Sequence, residues 1–463
     1  MRILLVSANR EKSPYPVAPI GCAYVAAALI EDGFEVELLD LCFSADVSTA
    51  IKEAVVRFNP NCIGLSIRNV DNLSYPKSTS YLPYLKDVAR HLSALGLPVI
   101  VGGSGYSLFP EKMLRSLGLV YGVVGEGEGA MREFVKRLSS GADTLDVPNL
   151  AYLKDGVFAR NPVKTSPAFG SPARRLLDNE RYFRDGGMAN VQTKRGCPFN
   201  CIYCTYPYLD GNRIRCREAC AVVDELTGLC AAGLDYVFFV DDIFNHPAHQ
   251  AADICRGIIE RGLKIKWTCF ATPKGMTLEL LNLMKEAGCK GVEFGTDAGS
   301  AKMLRNMGKG FTKDDIRTVS LLCAEAGIEA AHYLILGGPG ETEETLQEAF
   351  DFMDELDPRA VIVMIGVRIY PNTGLELQAV RDGVISKDTD LLASHFYVSS
   401  LIGEEKLFKM IDNHARARSN WVVTALGIRG SEDAMALLRK AGHRGPLWDT
   451  LRKSTGAVKV RAR

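Results

Sequence analysis

The chain has 463 residues, 47% apolar and 24% charged, and its 55 basic residues balance 55 acidic ones. This length exceeds what one compact core usually holds, so the composition predicts an α/β protein of roughly two or three domains. The balanced charge excludes a global electrostatic attraction to nucleic acid or to an anionic membrane, and no apolar run reaches the ~20 residues of a membrane-spanning helix.

Strand-like and helix-like segments alternate over residues 1–138. Apolar runs predict buried parallel strands at 2–7, 34–39, 62–66, 99–101 and 118–124. Helical patterns at 20–32 and 84–95 separate some of these runs. This alternation predicts a doubly wound, Rossmann-like sheet whose ligands bind at the carboxyl ends of its strands.

Two glycine-rich loops, 102–105 and 125–129, follow strands of this sheet. Neither loop has the GxGxxG spacing followed by a helix that a dinucleotide favours, so a nicotinamide site is not indicated. Tight turns of any Rossmann-like fold would also explain these glycines.

The periodicity breaks at residues 139–190, where four prolines predict a linker between domains. At 191–385, strands and helices alternate again, which predicts a partial (β/α)6 barrel with its chemistry at the strand ends. Residues 386–463 are predicted to form a short, mostly helical C-terminal region.

Three cysteines, Cys197, Cys201 and Cys204, directly follow the first predicted strand of the barrel, separated by three and by two residues. Three thiolates on a short loop can bind one face of a cubic iron–sulfur cluster and leave one iron open to a small molecule. A zinc site with Cys216 or Cys220 as a fourth ligand is the alternative, and three unrelated core cysteines are another.

The chain holds thirteen cysteines in total. An odd number in a long chain that begins on a strand-like segment, without signal-peptide character, indicates reduced thiols. The sequence therefore predicts a cytoplasmic protein.

The cysteine loop, with turn-forming Gly196 and Pro198 and with Tyr203 between the last two cysteines, resembles the radical S-adenosylmethionine (SAM) superfamily. The first domain resembles the cobalamin-binding domain that precedes the cluster domain in one large branch of that superfamily. The resemblance covers about residues 1–380 and implies three cofactors: a 4Fe–4S cluster held by the three cysteines, SAM and cobalamin.

For cobalamin, the resemblance implies contacts at Pro19, Ser66, Gly102, Gly103, Gly105, Gly125 and Glu126. The chain lacks the Asp-x-His-x-x-Gly motif by which many cobalamin proteins ligate cobalt, so a histidine ligand is not expected. Instead, Arg68 or Asn69 is expected at the lower face of the corrin ring, where a guanidinium cannot coordinate the metal. A simple ion pair between Arg68 and Asp71 is the alternative.

For SAM, the resemblance implies contacts at Tyr203, Asp241, Asp242, Glu293, Asp297, Gly337 and Gly338. Asp241 and Asp242 are adjacent, so only one of the two carboxylates is expected to face the site. Asp297 stands where the family often has a glutamate before Ser-Gly, and Ala298 replaces the serine.

The reaction implied by the resemblance is methylation of an unactivated carbon by way of methylcobalamin and a 5′-deoxyadenosyl radical, with a flavodoxin or ferredoxin as electron donor. A cyclisation, rearrangement or oxidation without methyl transfer is the closest alternative. A non-catalytic corrinoid or redox sensor is a third. No pattern in the sequence identifies the small-molecule substrate or a catalytic residue.

Overall fold

Two seven-stranded sheets organise residues 1–424 and 437–450, which the computed structural model describes. The first sheet contains the strands β1 Arg2–Ser7, β2 Glu35–Asp40, β3 Cys62–Ser66, β4 Val99–Gly102, β5 Tyr121–Val123, β6 Leu150–Lys154 and β7 Val157–Arg160. Its helices are α1 Ile20–Glu31, α2 Val47–Phe58, α3 Leu82–Ser93, α4 Ser104–Leu108, α5 Pro110–Leu117 and α6 Gly127–Ser140. The strand order is β2-β1-β3-β4-β5-β6-β7. The first five strands are parallel, as predicted.

The strands β6 and β7 form an antiparallel hairpin on the edge of this sheet. Its two-residue turn is Asp155-Gly156, and both residues have a positive φ, of 52° and 76°. Asp-Gly in this conformation is typical of a type I′ hairpin turn. The segment 139–190 therefore contributes strands to the first sheet, and the predicted domain boundaries at 138, 190 and 385 stay predictions.

The second half of the chain forms a partial barrel. Its strands are β8 Ala189–Val191, β9 Lys194–Arg195, β10 Arg215–Cys216, β11 Tyr236–Phe239, β12 Lys266–Ala271, β13 Cys289–Asp297, β14 Glu329–Leu336, β15 Ala360–Ile365, β16 Val367–Arg368, β17 Phe396–Tyr397 and β18 Trp421–Val423. Its helices are α7 Asn179–Gly186, α8 Tyr206–Leu209, α9 Ala219–Ala231, α10 Ala248–Glu260, α11 Leu278–Glu286, α12 Ala301–Asn306, α13 Lys313–Ala326, α14 Glu343–Leu356, α15 Gly374–Arg381 and α16 Glu404–Arg416.

The barrel sheet has the order β8-β11-β12-β13-β14-β15-β18, and all of its strands are parallel. The last strand, β18, comes from the C-terminal region, which also supplies the predicted helix α16. Residues 425–436 and 451–463 of that predicted region lie outside the described residues. The predicted α/β class, with a doubly wound sheet followed by a parallel barrel, is confirmed. No helix within the described ranges is long and apolar enough to cross a membrane.

A buried ion pair joins the loop after β3 to the barrel. Arg368 Nε lies 3.1 Å from Asp71 Oδ2, and Ser394 Oγ donates to the same oxygen at 2.9 Å. The Arg368 guanidinium also donates to the carbonyls of Ile369 and Leu391, at 2.6 and 2.9 Å. The carboxyl edge of the first sheet is therefore held against the barrel.

Candidate cofactor sites at the strand ends

The three predicted cluster cysteines lie on the loop between β9 and α8. Backbone hydrogen bonds hold the loop at Cys197, whose N–H donates to Gly211 O at 3.1 Å, and at Ile202, whose N–H donates to Met307 O at 3.1 Å. Gly196 has a φ of +88°, and a Cβ there would lie 2.2 Å from Arg213 O, so only glycine fits. The backbone thus places the three thiols on one tightly held loop.

Burial raises the pKa of Cys197 to about 11 and of Cys204 to about 12, and it also raises the pKa of Cys201. Neighbouring cysteines add to this rise for Cys197 and Cys204. Such thiols stay protonated at neutral pH unless a bound cation replaces their protons, as iron does.

A single metal ion is a poor fit to this loop. No three Cys, His, Asp or Glu side chains in the described part of the chain are arranged to hold one ion. In a cubic cluster each thiolate binds a different iron, so the sulfurs need not converge. Two cysteines were considered above as a fourth ligand for zinc. Cys216 lies on β10 opposite Lys194, with Lys194 and Asp241 as its charged neighbours, and Cys220 is exposed. The donor set therefore fits a three-thiolate cluster.

The two adjacent carboxylates after β11 have different surroundings. Asp241 accepts hydrogen bonds from the backbone N–H groups of Thr193 and Lys194, at 2.6 and 3.1 Å, and from Thr193 Oγ1 at 2.5 Å. Asp242 Oδ2 is buried without a hydrogen-bond partner among the described residues. Burial, together with Asp210 and Asp241, raises the pKa of Asp242 to about 8. Of the two, only Asp242 has an open acceptor for the amino group of a bound SAM.

Asp297, at the end of β13, shares its carboxylate between two side chains. The Tyr203 hydroxyl and the Lys309 ammonium both donate to Oδ2. Asp297 has a φ of +62°, a conformation that few residues other than glycine adopt. Two residues that were predicted to contact SAM, Tyr203 and Asp297, therefore contact each other, and their role at the cofactor stays a prediction.

Glu293 lies in the middle of β13, about 13 Å from Asp297 along the strand. Its carboxylate accepts hydrogen bonds from Trp448 Nε1 at 2.8 Å and from the Tyr333 hydroxyl at 2.7 Å. Burial raises the pKa of Glu293, and these two donors oppose the rise. The structure gives Glu293 two internal donors, of which Trp448 ties the C-terminal segment into the barrel, and its predicted contact with SAM stays untested.

The glycine loop after β14 packs closely on two helices. Gly337 has a φ of +95°, and a Cβ on Gly338 would lie 2.8 Å from Met307 Sδ. Glu341 closes the loop by accepting a hydrogen bond from Gly337 N at 2.8 Å, and burial raises its pKa to about 7. Internal packing accounts for these glycines, and their approach to SAM stays a prediction.

A cavity of about 290 Å³ lies at the carboxyl edge of the first sheet. Five of the predicted cobalamin contacts line it: Ser66, Gly102, Gly103, Gly125 and Glu126. Its floor is apolar and contains Leu5, Ile100 and Met131. A flat apolar base on the nucleotide tail of cobalamin fits such a floor.

Glycines shape this cavity. Gly103 has a φ of +96°, and a Cβ there would lie 2.5 Å from Ile67 O. Gly64 also lines the cavity, where a Cβ would lie 2.7 Å from Leu5 Cδ2. The other two predicted contacts, Pro19 and Gly105, do not line this cavity. Pro19 directly precedes α1, and Gly105 packs against the Arg68 backbone.

Arg68 and Asn69 line a second cavity, of about 550 Å³, between the loops after β1 and β3. The Arg68 side chain is exposed and has no ion pair in the described part of the chain. Asp71, its alternative partner, is instead bound by Arg368 and Ser394. The alternative prediction, an ion pair between Arg68 and Asp71, is therefore wrong. The placement of Arg68 under a corrin ring stays a prediction.

Several site residues lack a local sequence signal. Lys309 follows α12 and pairs with Asp297, and Arg195 and Asp210 reach the cavity of the first domain from the barrel. None belongs to a motif, because each is brought to its site by contacts between distant segments.

A doubly wound domain with a cavity at its strand ends, joined to a barrel with a three-cysteine loop, defines a cobalamin-binding protein with a radical SAM barrel.

Comparison with known proteins agrees with this class. Residues 6–135 match the B12 binding domain, and residues 191–353 match the radical SAM superfamily. An uncharacterized methyltransferase of Pyrococcus horikoshii is 28% identical over 83% of this chain and 84% of its own length. The tryptophan 2-C-methyltransferase of Streptomyces laurentii is 27% identical over 78% of this chain and 72% of its own length.

The fold of the whole chain is found in a solved structure. The radical SAM methyltransferase TsrM from Kitasatospora setae, solved with cobalamin and a [4Fe-4S] cluster, superposes with a TM-score of 0.87 over 98% of both chains, at 23% identity. The chain belongs to the cobalamin-dependent radical SAM enzymes. The predicted family, fold class, enzyme class and set of cofactors are confirmed.

Proposed function

We propose that this protein transfers a methyl group from SAM to an unactivated carbon of a small molecule. One observation carries the proposal: Tyr206, Leu209 and Asp210, which directly follow the cysteine loop, also line the cavity of the cobalamin domain. The two cofactor sites therefore share a wall. A methyl group carried on one cofactor can reach a substrate that is activated at the other without leaving the protein.

The chain's own residues would hold the three cofactors. Cys197, Cys201 and Cys204 would ligate the cluster, and the free Asp242 carboxylate would accept hydrogen bonds from the amino group of SAM. When bound, the cluster with SAM supplies one-electron chemistry, and cobalamin supplies a carrier for the methyl group. Gly103, whose missing Cβ lets its backbone pass close to Ile67, would form part of the wall around the nucleotide tail of cobalamin.

Charged side chains close the shared wall. Arg195, just before the cysteine loop, donates to Glu128 at the start of α6 at 2.6 Å, and Arg215 pairs with Glu126 at 2.5 Å. Arg195, Arg215 and Glu126 have side chains that are largely buried. These pairs tie the barrel to the cobalamin domain and exclude water from the region between the two sites.

The test is an anaerobic reconstitution with SAM labelled in its methyl group. About four irons and one cobalt per chain are expected, and the label should appear in the corrinoid fraction before any substrate is added. L-Tryptophan is the first substrate to try because of the tryptophan 2-C-methyltransferase relative, followed by a panel of small molecules. Iron and cobalt without transfer of label to the corrinoid would contradict the proposal.

The electron donor and the compartment are part of the same proposal. A flavodoxin or ferredoxin would supply electrons to the cluster. None of the thirteen cysteines, which all lie in the described part of the chain, forms a disulfide, which agrees with a reducing compartment such as the cytoplasm.

The alternative to methyl transfer is a cyclisation, rearrangement or oxidation. Consumption of labelled SAM without a methylated product, in the presence of the true substrate, would indicate this alternative.

A further inference from the structure

Lys309 is a buried lysine next to the cysteine loop. Its side chain is 6% exposed, and its ammonium pairs with the Asp297 carboxylate, whose side chain is 5% exposed. The ammonium also lies 3.4 Å from the Tyr203 hydroxyl, and 5.8 and 5.2 Å from the ring centroids of Tyr203 and Phe311. Tyr203 belongs to the cysteine loop itself, so this cation is fixed at the loop.

Tyr203, which the ammonium contacts, lies between Cys201 and Cys204 in the chain, so the charge is held next to the predicted iron ligands. The positive charge of Lys309 opposes the rise in the pKa of Cys201 that burial causes. The same charge opposes the rise in the pKa of Cys197 that burial causes. The Lys309 charge therefore lies at the cysteine loop and acts on two of the three predicted iron ligands.

Burying this ion pair is costly for the fold. A buried ion pair is often replaceable by apolar side chains of similar volume without loss of stability, because desolvation offsets much of the attraction. Asp297 in addition adopts a left-handed backbone conformation to present its carboxylate. A methionine at position 309 would fill the same space without the cost of burying a charge. The presence of a lysine there indicates that the charge itself has a function.

We propose that Lys309 is a positioning residue that stabilises the reduced state of the cluster, with Asp297 and Tyr203 holding its ammonium at the cysteine loop. The inference rests on the proposed function, because it requires a cluster on the cysteine loop. Reduction adds one electron from an external donor, and no bond forms or breaks. The added negative charge is attracted by the ammonium and repelled by the Asp297 carboxylate.

The two charges should act in opposite directions on the reduction potential. Net charge near a cluster and hydrogen bonds to its sulfurs set its potential, and solvent screens buried charges weakly. Removing the lysine charge should make the potential more negative, and removing the aspartate charge should make it less negative. Asparagine also tolerates a left-handed conformation, so Asp297→Asn removes charge with little change of backbone.

The test is a redox titration with dithionite, followed by electron paramagnetic resonance, on full-length protein reconstituted with iron and sulfide. We expect a more negative midpoint for Lys309→Met, a less negative midpoint for Asp297→Asn, and a midpoint near wild type for Lys309→Arg. Lys274→Met is the matched control, because Lys274 is an exposed lysine whose Nζ lies 3.3 Å from Gly310 O in the same region. Its midpoint should not move.

Three results would overturn the inference. Midpoints of Lys309→Met and Asp297→Asn that shift in the same direction would show that the pair acts only by holding the loop. Unchanged midpoints at full iron content would show that the charge has no effect. Loss of iron from both variants, with iron retained by wild type and Lys309→Arg, would make the pair purely structural. Absence of iron from wild type would instead refute the cluster, and so the proposed function itself.

Discussion

The buried ion pair between Asp71 and Arg368 should control how tightly the loop after β3 is held on the barrel. The two side chains are 1% and 5% exposed. Arg368→Met removes the cation and leaves the Asp71 carboxylate buried between the two domains. Losing one partner of a buried pair typically costs about 3–5 kcal/mol, because the other charge stays desolvated.

The structure places this substitution at the lower end of that range. Asp71 keeps two donors after the change, namely Ser394 Oγ at 2.9 Å and Leu73 N at 3.1 Å. We therefore expect about 3 kcal/mol, which corresponds to a roughly 150-fold larger population of the open loop. Removing both charges, in Asp71→Asn with Arg368→Met, should restore most of the loss.

Hydrogen exchange in peptides that cover residues 67–82 measures this opening locally. Among the amides concerned, Tyr81 N–H donates to Val70 O at 2.8 Å, and it should exchange roughly 150-fold faster in Arg368→Met. Lys112→Met is the matched control, since Lys112 and Asp390 also join the two halves, at 2.7 Å, but are 49% and 63% exposed. That exposed pair should contribute at most about 1 kcal/mol, or roughly 5-fold. Equal changes in the two variants would refute the argument from burial.

Three further substitutions test the sites and the core. Gly103→Ala places a Cβ 2.5 Å from Ile67 O and should abolish cobalt uptake, whereas Gly129→Ala, with no atom within 4 Å, should retain it. The pKa of Asp242 is raised to about 8, so the folded apoprotein binds the extra proton and loses stability as pH rises from about 4 to 8. Asp242→Asn should therefore raise the melting temperature more at pH 9 than at pH 5, and an equal effect at both would contradict the assignment. Burial lowers the pKa of His332 to about 4, so stability should fall as pH falls from about 6.5 to 4, and His332→Gln should flatten that slope in thermal melts.

The sequence predicted those features that have a local cause. The three cysteines belong to a short pattern, and the structure places them on one loop. Gly102, Gly103 and Gly125 also belong to short patterns after strands, and they line one cavity. The adjacent pair Asp241 and Asp242 was predicted to divide its roles, but the pattern could not say which one was free. That choice depends on Thr193, which lies 48 residues away in the chain.

Features that depend on distant segments were not predicted. The ion pair of Lys309 with Asp297, the hydrogen bond of Trp448 with Glu293 and the seventh barrel strand β18 each join segments with no shared pattern. The hairpin of β6 and β7 is a different case. Its Asp155-Gly156 turn is a local signal, but four prolines in the surrounding segment 139–190 favoured a linker over a pair of strands.

The shared wall between the two cofactor sites links cofactor binding to domain contact. Gln192, Arg195 and Asp210 of the barrel line the same cavity as Gly103 and Gly125 of the first domain. A ligand that fills this cavity contacts both halves, so its binding stabilises their docking by an amount that grows with the ratio of free ligand concentration to Kd. Cobalamin would thereby hold the barrel mouth in register with the cobalamin domain. Interface contacts that lie away from the cavity, such as Asp71 with Arg368, would fix that register before cobalamin binds.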